Sequence, residues 1–223
     1  MNAFNFLRNK NVTRLCHFTK LKDLVHIFSS EDGILASNQI DSDIKDQKDT
    51  NRYDGEPDYV CCSIEYPNSW YLRTAKNRDD DNVFKDWGVI YIDLSILQNS
   101  CAKFCPCNAA KDHGTHIFSD INKLNELFAP QVSGYSRSSN MCSCCPTNDQ
   151  AEVLIKGNIP RQFLTGIAVI DKNNARTVYS ILEVLKVGFL PIYCAPDVLN
   201  TNWSKLVRIG KRPKEELFSA KER

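Results

Sequence analysis

Apolar positions along the 223-residue chain switch back and forth between strand-like runs and helical spacing. Arg14 to Thr19 (RLCHFT) reads as a short strand. Leu21, Leu24, Val25 and Phe28 then recur at helical intervals, so a helix is expected over Leu21 to Phe28, stopped by Asp32-Gly33. Ile34 to Asn38 is a second extended stretch, and the polar run Asp41 to Pro57 reads as a surface loop or broken helix. Strands follow at Tyr59 to Ile64 and, most clearly, Val89 to Leu94, with a short helix at Trp70 to Lys76 between them. Asn122 to Phe128 is helical and ends at Pro130. Pro130 to Asp149 carries few aliphatic residues and many Ser, Cys and Asn, the pattern of a long functional loop. Glu152 to Ile155 and Phe163 to Ile170 are strands, Asn173 to Leu185 a helix, Leu190 to Cys194 a last strand, and Lys205 to Arg223 a basic tail, mobile in part.

Strands and helices interleave without a regular βαβ repeat, which predicts an α+β fold with a mixed sheet rather than a doubly wound one. Neither G-x-G-x-x-G nor G-x-x-x-x-G-K-[ST] occurs, so a nucleotide would not be held by a Rossmann or P-loop site. The length suits a single domain over residues 1–223. The net charge of +1 is far below that of a protein that coats duplex DNA, so any grip on nucleic acid has to be local. No apolar run approaches the roughly 20 residues of a membrane span, and Met1 to Arg14 lacks an apolar signal core, so a cytoplasmic chain with no membrane partner is expected. The ten cysteines are then expected to be reduced. Cys101-x₃-Cys105 has knuckle spacing for zinc, but Cys142-x-Cys144 is tighter than a standard knuckle. Buried thiols without a metal are the preferred account, with a zinc-stabilised, non-catalytic binding module as the alternative.

Three places carry candidate chemistry. His17 sits in L-C-H-F-T, where a neutral imidazole can bond a ribose hydroxyl, although a satisfied core histidine fits the same pattern. Gln150-Ala151-Glu152 joins the long loop to an apolar strand. Alternation puts Gln150 and Glu152 on one face, and a carboxylate entering E-V-L-I is costly to bury without a task or a partner. Arg52, beside Tyr53, offers the planar fork that suits pyrophosphate, although most loop arginines are simply solvated.

Taken together, these segments resemble the DarT family of bacterial nucleic-acid ADP-ribosyltransferases. The resemblance is carried by C-H-F-T at 16–19 followed by a helix, G-I-L-A-S-N-Q at 33–39, D-Y-V at 58–60 and Q-A-E-V-L-I at 150–155, in the family's order. It implies an ADP-ribosyltransferase-like split mixed β-core with peripheral helices and a cleft for NAD⁺, which is consumed as a co-substrate. It implies that His17 and Thr19 hold the nicotinamide-side ribose or amide, that Asn38 lines the cofactor site, that Arg52 acts on the pyrophosphate or the substrate, and that Glu152 is the catalytic glutamate. The segment from Gln131 to Asp149 would then be the substrate-recognition loop, and a macrodomain-type antitoxin would be the partner of a toxin in a toxin–antitoxin or phage-defence system.

The residues fit that chemistry. A carboxylate can stabilise positive charge developing on the ribose as nicotinamide leaves, and can deprotonate an attacking base nitrogen. The base must be unstacked to be reached, so single-stranded nucleic acid is the expected acceptor, DNA favoured and RNA the alternative. Tyr71 and Trp70 are candidate stacking groups, Tyr71 for the cofactor site, while core packing serves equally well for Trp70. Arg73, Lys76 and Arg78 could touch phosphates, but the Asp79-Asp80-Asp81 run beside them favours a solvated turn. Arg137, Ser139 and Asn140 in the recognition loop, with Gln150 at its end, are the candidate acceptor contacts.

Overall fold

In a computed structural model, residues 2–40, 52–78 and 83–219 are described. Their main feature is an eight-stranded sheet. The strands, in chain order, are β1 (Arg14–Lys20), β2 (Tyr59–Ile64), β3 (Trp87–Asp93), β4 (Ala102–Cys105), β5 (Gln131–Val132), β6 (Tyr135–Ser136), β7 (Glu152–Lys156), β8 (Leu164–Val169), β9 (Ile192–Cys194) and β10 (Glu216–Leu217). The sheet runs β10-β9-β8-β3-β1-β2-β7-β4, while β5 and β6 form a separate hairpin. All pairings in the large sheet are antiparallel except β8–β9. That parallel pair needs a crossover, supplied by helix α4 (Lys172–Val184).

The helices are α1 (Ala3–Asn9), α2 (Leu24–Ser29), α3 (Ser69–Arg78), α4, α5 (Pro196–Leu199) and α6 (Trp203–Arg208), with 3-10 turns at 21–23, 94–98, 111–114, 121–128 and 161–163. Helix α4 forms because Asp171 caps it, its carboxylate accepting from Asn174 N at 2.9 Å, and because Ala175, Val178 and Leu182 fall on one face and are buried. It lies against β9 and α2. The centre of the sheet, Val89 to Ile92 and Val153 to Ile155, is closed to solvent, which explains why these runs are apolar without alternation.

One irregularity in the sheet positions the site. Strand β1 pairs with β3 along its whole length, from Arg14↔Asp93 to Lys20↔Trp87, but with β2 only at Leu15↔Ile64 and Cys16↔Ser63. Beyond Cys16 the β1–β2 ladder stops, and the sheet divides between these two strands. This is the split mixed core that the sequence led us to expect.

Several readings need correction. Ile34–Asn38 is not a strand: only Ile34 bridges, to Ile159, and residues 37–39 turn. The bridge depends on Gly33, at φ +69°, where a Cβ would meet the Ile159 carbonyl oxygen at 2.2 Å. The 130–149 loop contains the β5–β6 hairpin, closed by Ser133 and Gly134 at positive φ, the two-residue turn that suits strand twist. Strand β9 is not the last, and the tail is tied down through Glu215 to Leu217. Glu215 takes both guanidinium nitrogens of Arg14 (2.5 and 2.9 Å) and the Tyr91 hydroxyl (2.9 Å), and β10 pairs with β9. Helix α1 and strand β4 are additions in segments too polar or too short to be read from pattern. The reading of Asp41–Pro57 falls mostly outside the described residues.

Candidate active site

Glu152 is the first residue of β7, opposite Ser63 on β2 and Cys105 on β4. It is 6 % exposed. Two N–H donors meet its carboxylate: the Asn68 side-chain amide at 2.9 Å on one oxygen and the Ala109 backbone N–H at 3.0 Å on the other. Burial pushes its pKa up to about 7, the two hydrogen bonds pull it down, the Asp54 charge raises it and Arg52 lowers it. The ordering of causes matters: removal from water outweighs every partner, so this carboxyl exchanges its proton near neutrality.

Arg52 stands beside it. Its guanidinium makes a bidentate pair with Asp54 (3.0 and 2.7 Å), donates to the Tyr59 carbonyl at 2.8 Å, and reaches the Ser37 hydroxyl and the Cys61 thiol at 3.3 and 3.4 Å. Asp54 is itself buried and also accepts from Glu56 N, and its carboxyl is held below the usual range by Arg52. The turn at 111–114 packs on this residue. Gly114, at φ +82°, brings its Cα against the Asp54 carbonyl, and a Cβ there would sit 2.4 Å from that oxygen.

His17 comes directly after the last β1–β2 ladder pair. Its Nδ1 lies 2.9 Å from the Cys61 carbonyl. A carbonyl only accepts, so Nδ1 carries a proton and Nε2 is the ring nitrogen turned away from this bond. Asn38 donates to the Asp58 carboxylate at 2.6 Å, and its backbone N–H bonds the Pro57 carbonyl, just before β2. The structure thus gathers His17, Asn38, Arg52 and Glu152 around a single strand, β2 and its lead-in. Tyr71, on the first turn of α3, meets the ring of Phe18 edge-on with centroids 5.4 Å apart and is half-exposed, as is Trp70. Thr19 donates to Asp23 at 2.8 Å.

The family described as "DarT: ssDNA thymidine ADP-ribosyltransferase" matches the chain over residues 16–200. The chain belongs to the DarT family. It is an ADP-ribosyltransferase of the class that acts on single-stranded DNA. Among solved structures, DarT of Thermus sp. 2.9 in complex with NAD⁺ is 19% identical with a TM-score of 0.57, covering 78% of this chain and 90% of that one. The same protein in complex with ADP-ribosylated ssDNA is 16% identical with a TM-score of 0.61, covering 84% and 96%. Thermosipho africanus DarTG in complex with ADP-ribose is 15% identical with a TM-score of 0.61, covering 84% of this chain and 51% of that one. At such identities the likeness establishes a shared fold. No curated protein sequence matches the chain.

The other candidates lie in the segment that leads into Glu152 of this DarT chain. Arg137 donates to the Cys145 and Cys142 carbonyls at 2.8 and 3.0 Å, so its guanidinium laces the loop to itself. Arg208 does the same from α6, to the Ser136 and Thr147 carbonyls at 3.2 Å each. Ser139 and Asn140 are exposed on the turn between them. Gln150 donates to the Tyr135 hydroxyl at 3.0 Å, and because β7 begins only at Glu152, strand alternation does not extend to it. Arg73 is exposed, and Lys76 bonds the Leu199 carbonyl at 3.2 Å. All ten cysteines are free, and among the described residues no group of three or more His, Cys, Asp or Glu could hold a metal. Three contributors escaped sequence reasoning: Asn68, Asp54 and the Ala109 N–H. Asn68 alone left a signal, as a polar residue at the start of a helix.

Proposed function

We propose that this protein transfers ADP-ribose from NAD⁺ to thymidine in single-stranded DNA, with Glu152 as the catalytic carboxylate and the whole of residues 1–223 serving as one transferase domain. The observation that carries the assignment is the Glu152 carboxylate: buried, titrating near neutrality, aimed by two N–H donors and flanked by Arg52 where the sheet divides. NAD⁺ supplies an electrophilic ribose carbon once nicotinamide departs. Everything else falls to the chain. With its ring neutral, His17 accepts from a ribose hydroxyl through Nε2. Arg52, preset by Asp54, presents a positive charge for the pyrophosphate, and Asn38, Thr19 and Tyr71 complete the cofactor side. Residues with these donors and acceptors suit a dinucleotide better than a metal.

Glu152 then does two things. Ionised, it stabilises positive charge on the ribose. It also takes a proton from the acceptor. Thymine has no exocyclic amine and its N1 is bonded to the sugar, so N3 is the available nitrogen and must lose its hydrogen. A base that titrates near the working pH suits this task. Ser139 and Asn140, exposed on a loop stiffened by Arg137, together with Gln150, serve the DNA side. The setting is the cytoplasm, and the partner is a macrodomain-type antitoxin. In favour of such a partner, the match takes up only 51% of the DarTG chain of Thermosipho africanus. No helix among the described residues is long and apolar enough to cross a membrane.

The test is incubation with NAD⁺ and oligonucleotides that differ at one base, as DNA and as RNA, followed by mass analysis. A gain of one ADP-ribose on thymidine-containing DNA is expected, and Glu152→Ala should abolish it while remaining folded. Near-normal turnover by folded Glu152→Ala would reject the assignment, and preferential labelling of RNA would reject the acceptor.

A further inference from the structure

Asn68 joins three elements around the carboxylate: β2, α3 and β7. It is 1 % exposed. Its backbone N–H donates to the Ser63 hydroxyl at 2.8 Å, on the β2 residue that pairs with Glu152. Its side-chain oxygen accepts from Tyr71 N at 2.9 Å, capping α3 at the third helical residue. A backbone N–H can only donate, so the amide orientation is decided: oxygen toward α3, nitrogen toward Glu152. The nitrogen donates to Glu152 at 2.9 Å. One side chain therefore spans the helix that carries Trp70 and Tyr71 and the carboxylate at the start of β7.

We infer that Asn68 is a positioning residue for the transfer reaction: its amide aims one oxygen of Glu152, while its cap ties that oxygen's placement to the first turn of α3. The inference rests on the assignment of Glu152. The cap is local, but the bond to Glu152 spans a sequence separation of 84 and is closed only by the sheet. The second donor, Ala109 N–H, belongs to the backbone and is indifferent to side-chain replacement. Asn68 is thus the point at which the carboxylate's hydrogen bonding can be altered without touching Glu152.

The two roles of Asn68, cap and donor, separate by substitution. Aspartate caps a helix as well as asparagine does, but offers the neighbouring carboxylate an anion in place of an N–H. If positioning holds, Asn68→Asp folds, at a lower Tm near neutral pH because a second carboxyl is buried beside the first, and loses on the order of 100-fold in kcat at neutral pH, with the KM for NAD⁺ within about twofold. Its acid limb of kcat should move to higher pH by about one unit or more, since like charge disfavours ionisation. Asn68→Ala, lacking both functions, should lose about tenfold in kcat with a smaller upward move of the same limb. If Asn68 only caps α3, Asn68→Ala keeps wild-type kcat and pH profile and differs only in a lower Tm. That result overturns the inference. The two assignments fail separately. An inactive Glu152→Ala with a fully active Asn68→Ala leaves Glu152 in place and removes Asn68, whereas an active Glu152→Ala removes both.

Discussion

Replacing Glu152 by glutamine should make the protein inactive but more stable, and only above about pH 5.5. The Glu152 carboxyl is pushed up to about 7 from an ordinary 4.5, with burial as the first cause. A tenfold displacement of a proton equilibrium is worth about 1.4 kcal/mol, so ionising this group in the folded protein rather than in the unfolded chain costs about 3 kcal/mol. The sign follows from which state holds the proton. Below pH 4.5 both states are protonated and there is no penalty. Between 4.5 and 7 the folded state keeps a proton that the unfolded chain has lost, so stability falls as pH rises. Above 7 the penalty is complete. Glutamine never ionises and escapes it. Its single oxygen, however, accepts from only one of the two donors, Asn68 or Ala109, which forfeits about 1 kcal/mol at every pH. The net is a gain of about 2 kcal/mol at pH 8.5 and a loss of about 1 kcal/mol at pH 4.5. For a chain of this size that corresponds to a Tm about 6 °C higher at the first pH and about 3 °C lower at the second. Thermal melts of both proteins across this range check it. A Tm difference that does not change with pH would refute the reasoning, because it would mean that Glu152 titrates normally.

His17→Ala should weaken NAD⁺ binding about tenfold, the loss of one ribose hydrogen bond, and leave ssDNA affinity within about twofold, measured by separate titrations in the Glu152→Gln background. Asp54→Asn unfastens Arg52 and should lower kcat/KM for NAD⁺ by about 10- to 100-fold. The Asp54 charge also raises the Glu152 pKa, so the acid limb should move to lower pH in this variant, opposite to the Asn68 variants. Glu215→Gln breaks a mostly buried pair with Arg14 and should cost about 3 kcal/mol, seen as a lower urea midpoint at unchanged m-value.

The sequence by itself determined the parts that short-range physics controls. Arg14–Lys20, Tyr59–Ile64 and Trp87–Asp93 are strands because β-branched and aromatic residues crowd there, and α4 is a helix because its apolar positions recur at 3.6 and an aspartate caps it. Glu152 was legible because a carboxylate at the head of an apolar strand needs a reason to be there. Tertiary structure alone decided what surrounds it. The short β1–β2 ladder, the donors Asn68 and Ala109, and the Arg52–Asp54 pair beside Cys61 come from segments far apart in the chain, joined by a strand order that no local pattern encodes. The same holds for the surroundings of the cysteines and of Arg137, a candidate acceptor contact. Six of the ten thiols are buried, and the Cys142 and Cys145 carbonyls meet the Arg137 guanidinium. A side chain's chemistry is written locally. Its partners, and with them its pKa and its task, depend on which distant backbone the folded sheet brings within 3 Å.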